Sequence, residues 1–246
     1  MLRRAPSLTD QVKTHIKDLI LQGEFPGGRI PPEMELAEAL GVSRTTVRDA
    51  LSRLEMEGTI SRRQGAGTFV NNPVLQIHSR LEEIWGYEAM LEAHGFTPST
   101  RLIETLEISA GDSPYDAATA GDLQLAPDEP LVLVTKLFLE NDAPVILTRN
   151  SIPRRLIAEP YQADDLGRPL YEFLEQFSRQ RLSYYVTDIV PLAADAITAD
   201  LLKIDPGTPL VSFDEIGYDD SNMPIVKAHS YFRDDLLRLR LLRRRV

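Results

Sequence analysis

Two stretches of this 246-residue chain, Thr119 to Val132 and Thr198 to Val211, follow one pattern: Thr-Ala, a short run with Asp and Leu, a Pro-containing turn, and a Leu-Val pair. Each continues as an apolar run, a tight turn and a second apolar run. The turns are Glu140-Asn141-Asp142-Ala143-Pro144 and Asp219-Asp220-Ser221-Asn222-Met223-Pro224. Asn, Asp, Ser and Pro favour chain reversal, so each copy predicts helix, strand, turn, strand. Short runs rich in Val, Ile, Thr and Tyr predict strands at 101–108, 131–139, 145–152, 183–191, 210–218 and 225–232. Helices are expected at 114–123, 163–178 and 193–202, after an opening helix that includes Leu81, Ile84, Trp85 and Leu91. The pattern implies an α+β domain with an antiparallel sheet, made of two half-domains related by a pseudo-twofold that sets matching strands across a cleft. The plainer alternative is two α+β units that merely share turn punctuation.

The N-terminal part has a helical period. Leu8, Val12, Ile16, Leu19 and Ile20 make one amphipathic helix, with Ser7 as its cap and Gly23 beyond its end. The Pro- and Gly-rich turn from Phe25 to Pro32 leads into a short helix, Glu33 to Leu40, with Leu36, Ala37 and Leu40 inward and Gly41 ending it. Ser43 caps a third helix, in which Val47, Ala50, Leu51 and Leu54 form the apolar stripe and Arg44, Thr45, Arg48, Asp49 and Ser52 lie outside. A short helix, a tight turn and a longer helix with outward Arg and Thr set a recognition helix in the major groove of DNA. Arg44 and Arg48 suit guanine edges or phosphate, and Thr45 and Thr46 suit phosphate or a thymine methyl. Ile60–Arg63 and Thr68–Val70 read as strands around Gln64-Gly65-Ala66-Gly67. That hairpin is a wing, with Arg62, Gly65 and Gly67 as candidate DNA contacts.

The formal net charge of −10 looks wrong for a DNA binder, because phosphates reward clustered cations. The distribution reverses that impression. Residues 1 to 72 hold ten Lys and Arg against nine Asp and Glu, and the remainder holds 17 against 28. Such asymmetry suits two parts that face different partners. With no cysteine, no apolar run near the roughly 20 residues that span a bilayer, and no signal-peptide core after Met1, a cytoplasmic protein without disulfides, membrane contact or thiolate metal sites is expected.

The run from Leu36 through Gly41-Val42-Ser43-Arg44-Thr45-Thr46-Val47-Arg48 to Leu51, with Leu54-Glu55-Met56-Glu57-Gly58 and Gly65-Ala66-Gly67-Thr68-Phe69-Val70, closely resembles the GntR family of regulators over residues 8 to 70. The resemblance implies a winged helix-turn-helix domain at 1–70, a linker at 71–79 opening with Asn71-Asn72-Pro73, and an effector-binding and dimerisation domain at 80–246. Two departures stand out. Pro32-Glu33-Met34 replaces the family's Ser-Glu-Arg, which removes a serine cap and a DNA-contacting arginine, and Ala66 stands where a basic residue is common at the wing tip. The strand-turn-strand units and the ending Pro224-Ile225-Val226-Lys227-Ala228-His229-Ser230-Tyr231-Phe232 resemble the UTRA effector domain of the HutC-type branch, similar in fold to chorismate lyase. The resemblance implies a homodimer that reads a pseudo-palindromic operator, with repression controlled by a small molecule.

In the amino-sugar-phosphate sensors of that branch, the matching positions carry two arginines, a glutamate, a serine and a final Glu and Tyr. Here they are Lys136, Phe138, Thr148, Pro169, Val226 and Phe232, so a phosphosugar site looks dismantled. Period-two alternation puts Lys136 with Phe138, Thr148 with Asn150, and Val226, Ala228, Ser230 and Phe232 on common faces. The expected effector has one anionic group, a carboxylate held by Lys136, and an apolar body against Phe138 and Phe232, with Thr148, Asn150 and Ser230 beside it. Ordinary core packing is the alternative for these apolar positions.

Catalysis is the rival function, through a chorismate-lyase-like pocket. His15, His78, His94 and His229 lack metal-ligand spacing, no Cys nucleophile exists, and no phosphate-cradling glycine loop follows a strand. His229 is opposite in phase to Ser230. No catalytic residue, metal or cofactor is therefore expected. The basic, apolar stretch Leu236 to Arg245 is read as a short helical tail.

Overall fold

A computed structural model describes residues 7–72, 86–114 and 117–240, and the chain divides into two compact units, 1–80 with 241–246, and 81–240. In the first unit, α1 (Leu8–Leu21) starts where the Ser7 side chain accepts the Asp10 N–H, and buries Val12, Ile16 and Ile20. Leu8, expected on the apolar face, is instead 53% exposed, because the first turn overhangs the core. Strand β1 (Arg29–Ile30) emerges from what the sequence reads only as a turn. Its two residues pair with Phe69 and Thr68, a partnership set by tertiary structure that local pattern does not carry. Next, α2 (Glu33–Leu40) begins at Pro32 with no side-chain cap, and Gly41 ends it in the left-handed conformation at φ 64. Ser43 caps α3 (Arg44–Met56) by accepting the Thr46 N–H, and Val47, Ala50, Leu51 and Leu54 are buried. The hairpin of β2 (Ile60–Arg63) and β3 (Gly67–Val70) completes a three-stranded sheet in the order β1-β3-β2.

In the second unit, α4 (Tyr87–Ala93) precedes β4 (Pro98–Ser109). There follow α5 (Thr119–Asp122), β5 (Pro130–Glu140), β6 (Ala143–Pro153), α6 (Leu170–Phe173), β7 (Tyr184–Ala193), α7 (Ala196–Leu202), β8 (Pro209–Tyr218) and β9 (Pro224–Phe232). All six predicted strands are present, each slightly longer than expected. They form one antiparallel sheet in the order β4-β5-β6-β9-β8-β7. That order is a palindrome of the repeat. Pro144 and Pro224 are equivalent, so Arg149 and His229 are too, and these two residues pair directly across β6 and β9. The pseudo-twofold therefore passes through that pair, and the two half-domains are real.

The predicted helices are shorter. The span 163–178 is broken into a tight turn at Ala163–Gly167, α6, and a wide turn at Leu174–Ser178. The cause is Pro169, which holds Arg168 extended at ψ 164. Within 114–123 the described helix is the four residues of α5, ended by Gln124 at φ 52. The 193–202 helix starts at Ala196, where Asp195 accepts the Thr198 N–H at 2.6 Å. Leu81, Ile84 and Trp85 of the opening helix, the linker from Pro73 onward, and Leu241 to Arg245 of the tail lie outside the described residues. The described tail, Leu236 to Arg240, is turn and irregular chain instead of helix, anchored by buried Leu237.

Both sheet faces are covered. One carries Leu137, Leu147 and Leu210 beneath α7, with Leu131 and Leu133 beneath the α5 segment. The other carries two separate apolar clusters. Phe138, Ile146, Phe213 and Phe232 pack under Met90 and Leu91 of α4, and Val132, Val134, Ile152 and Val226 pack under Phe173, Leu174 and Phe177.

Candidate DNA interface and effector site

In the first unit the expected DNA-facing side chains lie at the start of α3. Arg44 and Arg48 are 62% and 50% exposed, and both bind one carboxylate, Glu33 in the first turn of α2. Arg44 Nε donates to it at 3.0 Å and Arg48 Nη2 at 3.2 Å. Desolvation works to raise the Glu33 pKa, but the hydrogen bonds and charges of Arg48 and Arg44 outweigh it and hold the carboxyl below its usual range. Thr45 is exposed. Thr46 is half-buried, and its hydroxyl shares a 2.8 Å hydrogen bond with Ser43, so it belongs to the helix cap. Arg62 turns back onto α3, where its Nη2 donates to the Arg48 carbonyl at 3.1 Å and its Nε lies 3.5 Å from Glu55. Gly65 and Gly67 take φ of +74 and +117 at the wing tip, where a larger residue is strained. A Cβ on Gly67 would lie 3.5 Å from Arg29 Nε, so Arg29 is a further exposed cation at the wing. Arg63 stacks over Phe69 at 4.8 Å. Sequence reasoning passed over Arg29 and Glu33, one inside a turn and the other an acid in a basic site.

In the second unit the gap between the two apolar clusters is bridged by a band of polar side chains on one sheet face. Strand register aligns Lys136 with Thr148 and Thr148 with Ser230, and in the next row Asn150 with Ala228, Ala228 with Glu215, and Glu215 with Thr187. The band thus crosses five strands. Lys136 is 3% exposed, and its Nζ donates to the Arg168 carbonyl at 2.6 Å. Burial pulls its pKa down to about 8, against the opposing charge of Glu88. Thr148, Asn150 and Ser230 are buried, with Asn150 Nδ2 3.4 Å from Thr148 Oγ1. The Tyr87 hydroxyl lies 2.8 Å from Ser230 Oγ, with which it shares a hydrogen bond, and 3.4 Å from Glu215. The Tyr87 ring meets Phe138 and Phe232 edge-on at 5.3 and 5.6 Å. Glu215 also accepts from Thr187 at 2.7 Å, and burial raises its pKa.

The fold thus brings Lys136, Phe138, Thr148, Asn150, Ser230 and Phe232 to one face. Phe138 and Phe232 sit within the α4 cluster, 3% and 1% exposed. Missed from sequence were Tyr87, Thr187 and Glu215. Glu215 had a signal, since aligning Leu131 with Leu210 makes it the repeat equivalent of Lys136. On the opposite face, Lys227 Nζ bridges Asp122 at 2.8 Å and Asp214 at 2.5 Å, His229 Nε2 lies 3.6 Å from Asp214, and Arg149 reaches Thr198 at 3.4 Å. This network ties α5 and α7 to the central strands. His229 is indeed turned away from Ser230. Among the described residues no group of His, Asp and Glu is placed to hold a metal ion, and no helix is long and apolar enough to cross a membrane.

Comparison with known proteins agrees with both units. The pattern described as "Bacterial regulatory proteins, gntR family" matches residues 8–70, and that of the UTRA domain matches 93–238. HTH-type transcriptional repressor NagR of Bacillus subtilis (strain 168) is 29% identical over 228 residues, 93% of this chain and 89% of that protein. The crystal structure of PhnF from Mycobacterium smegmatis is 26% identical and aligns over 95% of this chain and 99% of its own, with a TM-score of 0.59. That of the possible transcriptional regulator YydK from Bacillus subtilis subsp. subtilis str. 168, at 15% identity, shares the fold over 96% of this chain and 99% of its own, with a TM-score of 0.70. With the gntR pattern on the first unit and the UTRA pattern on the second, this chain belongs to the GntR family of DNA-binding transcription regulators, in the branch that carries a UTRA effector domain.

Proposed function

We propose that this regulator is a cytoplasmic homodimeric repressor that reads a pseudo-palindromic operator and is controlled by a carboxylate with an apolar body. On this reading Arg44, Thr45 and Arg48 contact the major groove, Thr46 supports them through the cap, and the wing with Arg62, Gly65 and Gly67 approaches the backbone. Two copies of one recognition helix read two half-sites related by twofold symmetry. Repression is supported by the likeness to a protein named as a repressor. Ligand acts by favouring one arrangement of the two DNA-binding units over another, with the reorientation at Asn71-Asn72-Pro73.

The observation that carries the effector reading is a buried lysine beside aromatic rings. Lys136 stands 3% exposed, two residues along one strand face from Phe138, with Phe232 and Tyr87 packed nearby. A buried cation without an ion pair among the described residues is costly, and a carboxylate bound there offsets the cost. The likeness to a relative named as a transcriptional repressor favours this reading over an enzyme. Calorimetric titration of carboxylates of graded size into wild type and Lys136→Met tests it. Binding confined to wild type is expected, and equal binding by the variant removes the anchor.

A further inference from the structure

The pseudo-twofold sets a buried acid where its other half has the buried lysine. Lys136 on β5 and Glu215 on β8 are repeat equivalents, 3% and 8% exposed, and both point to the face that carries the polar band. Neither has an ion pair among the described residues. Lys136 Nζ donates to a backbone carbonyl, and the polar neighbours of Glu215 are hydroxyls, Thr187 at 2.7 Å and Tyr87 at 3.4 Å. Burial favours the neutral form of Glu215, and a cationic ligand group would stabilise its ionised form, a pairing that a carboxylate ligand alone does not offer.

We infer that the effector has two poles, an anionic group at Lys136 and a protonated nitrogen at Glu215, and so is a zwitterion of the amino-carboxylate class. The inference rests on the carboxylate reading above and extends it. The four strands β5, β6, β9 and β8 lie at about 4.8 Å spacing, which separates the two backbones by roughly 14 Å. A hydrogen bond of about 2.8 Å at each end leaves roughly 8 Å of that distance, which bounds the ligand at about eight backbone atoms. Along that span Thr148, Asn150 and Ser230 offer neutral hydrogen bonds. Tyr87, bonded to both Ser230 and Glu215, brings α4 over the amine end.

The test is calorimetry on the full-length protein with 4-aminobutanoate, 6-aminohexanoate and 8-aminooctanoate, each beside the unsubstituted carboxylate of equal length. At least one amino acid is expected to bind about tenfold or more tightly than its matched carboxylate, as a charged hydrogen bond implies. Glu215→Gln, which keeps the size of the side chain, is expected to erase that preference, so that each amino acid and its matched carboxylate bind with equal affinity. The wild-type comparison stands even if the variant is unstable. Equal affinity for amino acid and carboxylate, or a preference that survives Glu215→Gln, overturns the inference and leaves the carboxylate reading intact. If no compound of either kind binds, or if all bind Lys136→Met as they bind wild type, both fall together.

Discussion

The two units carry their charges in opposite ways. In the first, Arg44 and Arg48 are at least half exposed and share the carboxylate of Glu33, a surface arrangement in which each pair contributes at most about 1 kcal/mol. In the second, Lys136 and Glu215 are almost fully enclosed and neither forms an ion pair among the described residues. Exposed arginines held in place by an acid are ready for a large anionic surface, and binding requires little rearrangement. Enclosing an ionisable group costs stability in the empty protein, and a ligand that pairs with its charged form restores it. The first arrangement suits constant recognition and the second suits sensing.

The sharpest break between them is substitution of the charge itself. Arg48→Ala should weaken specific DNA binding by roughly tenfold to a hundredfold, the cost of one base-reading arginine, without changing thermal stability. Lys136→Met should do the reverse. It leaves DNA affinity alone, abolishes carboxylate binding, and raises the stability of the empty protein by about 1 to 3 kcal/mol, measured by urea unfolding. No gain in stability would mean that Lys136 is better solvated than its burial implies. Glu33→Gln should cost several-fold in discrimination between operator and unrelated DNA, because it frees both arginines while removing a negative charge. A competition assay in which discrimination is unchanged would show that Glu33 is a bystander.

The smallest effect is one of pH. The Lys136 pKa is about 8 in the folded protein and 10.5 in its ordinary state, so between those values the unfolded chain holds the extra proton. Stability contributed by this group therefore rises with pH across that window, after a constant penalty below it. Carboxylate affinity runs the other way and declines as pH rises above about 8. The wild-type minus Lys136→Met difference in unfolding free energy should show the first slope, and a flat difference would contradict it.

Much of this was legible in the sequence, for identifiable reasons. Val47, Ala50, Leu51 and Leu54 keep one helical face and are all buried, and six runs rich in Val, Ile, Thr and Tyr became six strands. The repeat gave the palindromic strand order its logic, down to the Arg149 and His229 pair. What escaped depends on contacts distant in sequence. Strand β1 exists only because Phe69 and Thr68 pair with it, and Tyr87 joins the site only because α4 packs over β9. Arg62 is a wing residue by position, yet Glu55 and the Arg48 carbonyl draw it back onto α3. The 163–178 helix failed for a local reason that was visible, Pro169.

The most direct test of the whole account is binding of the purified full-length protein to DNA from the region upstream of its own gene, across a salt series and with Arg48→Ala alongside. The account predicts tight, salt-sensitive binding to one site with twofold character, weakened in the variant. Folded wild-type protein that binds this DNA no better than unrelated sequence, or a variant that binds it equally well, would contradict it.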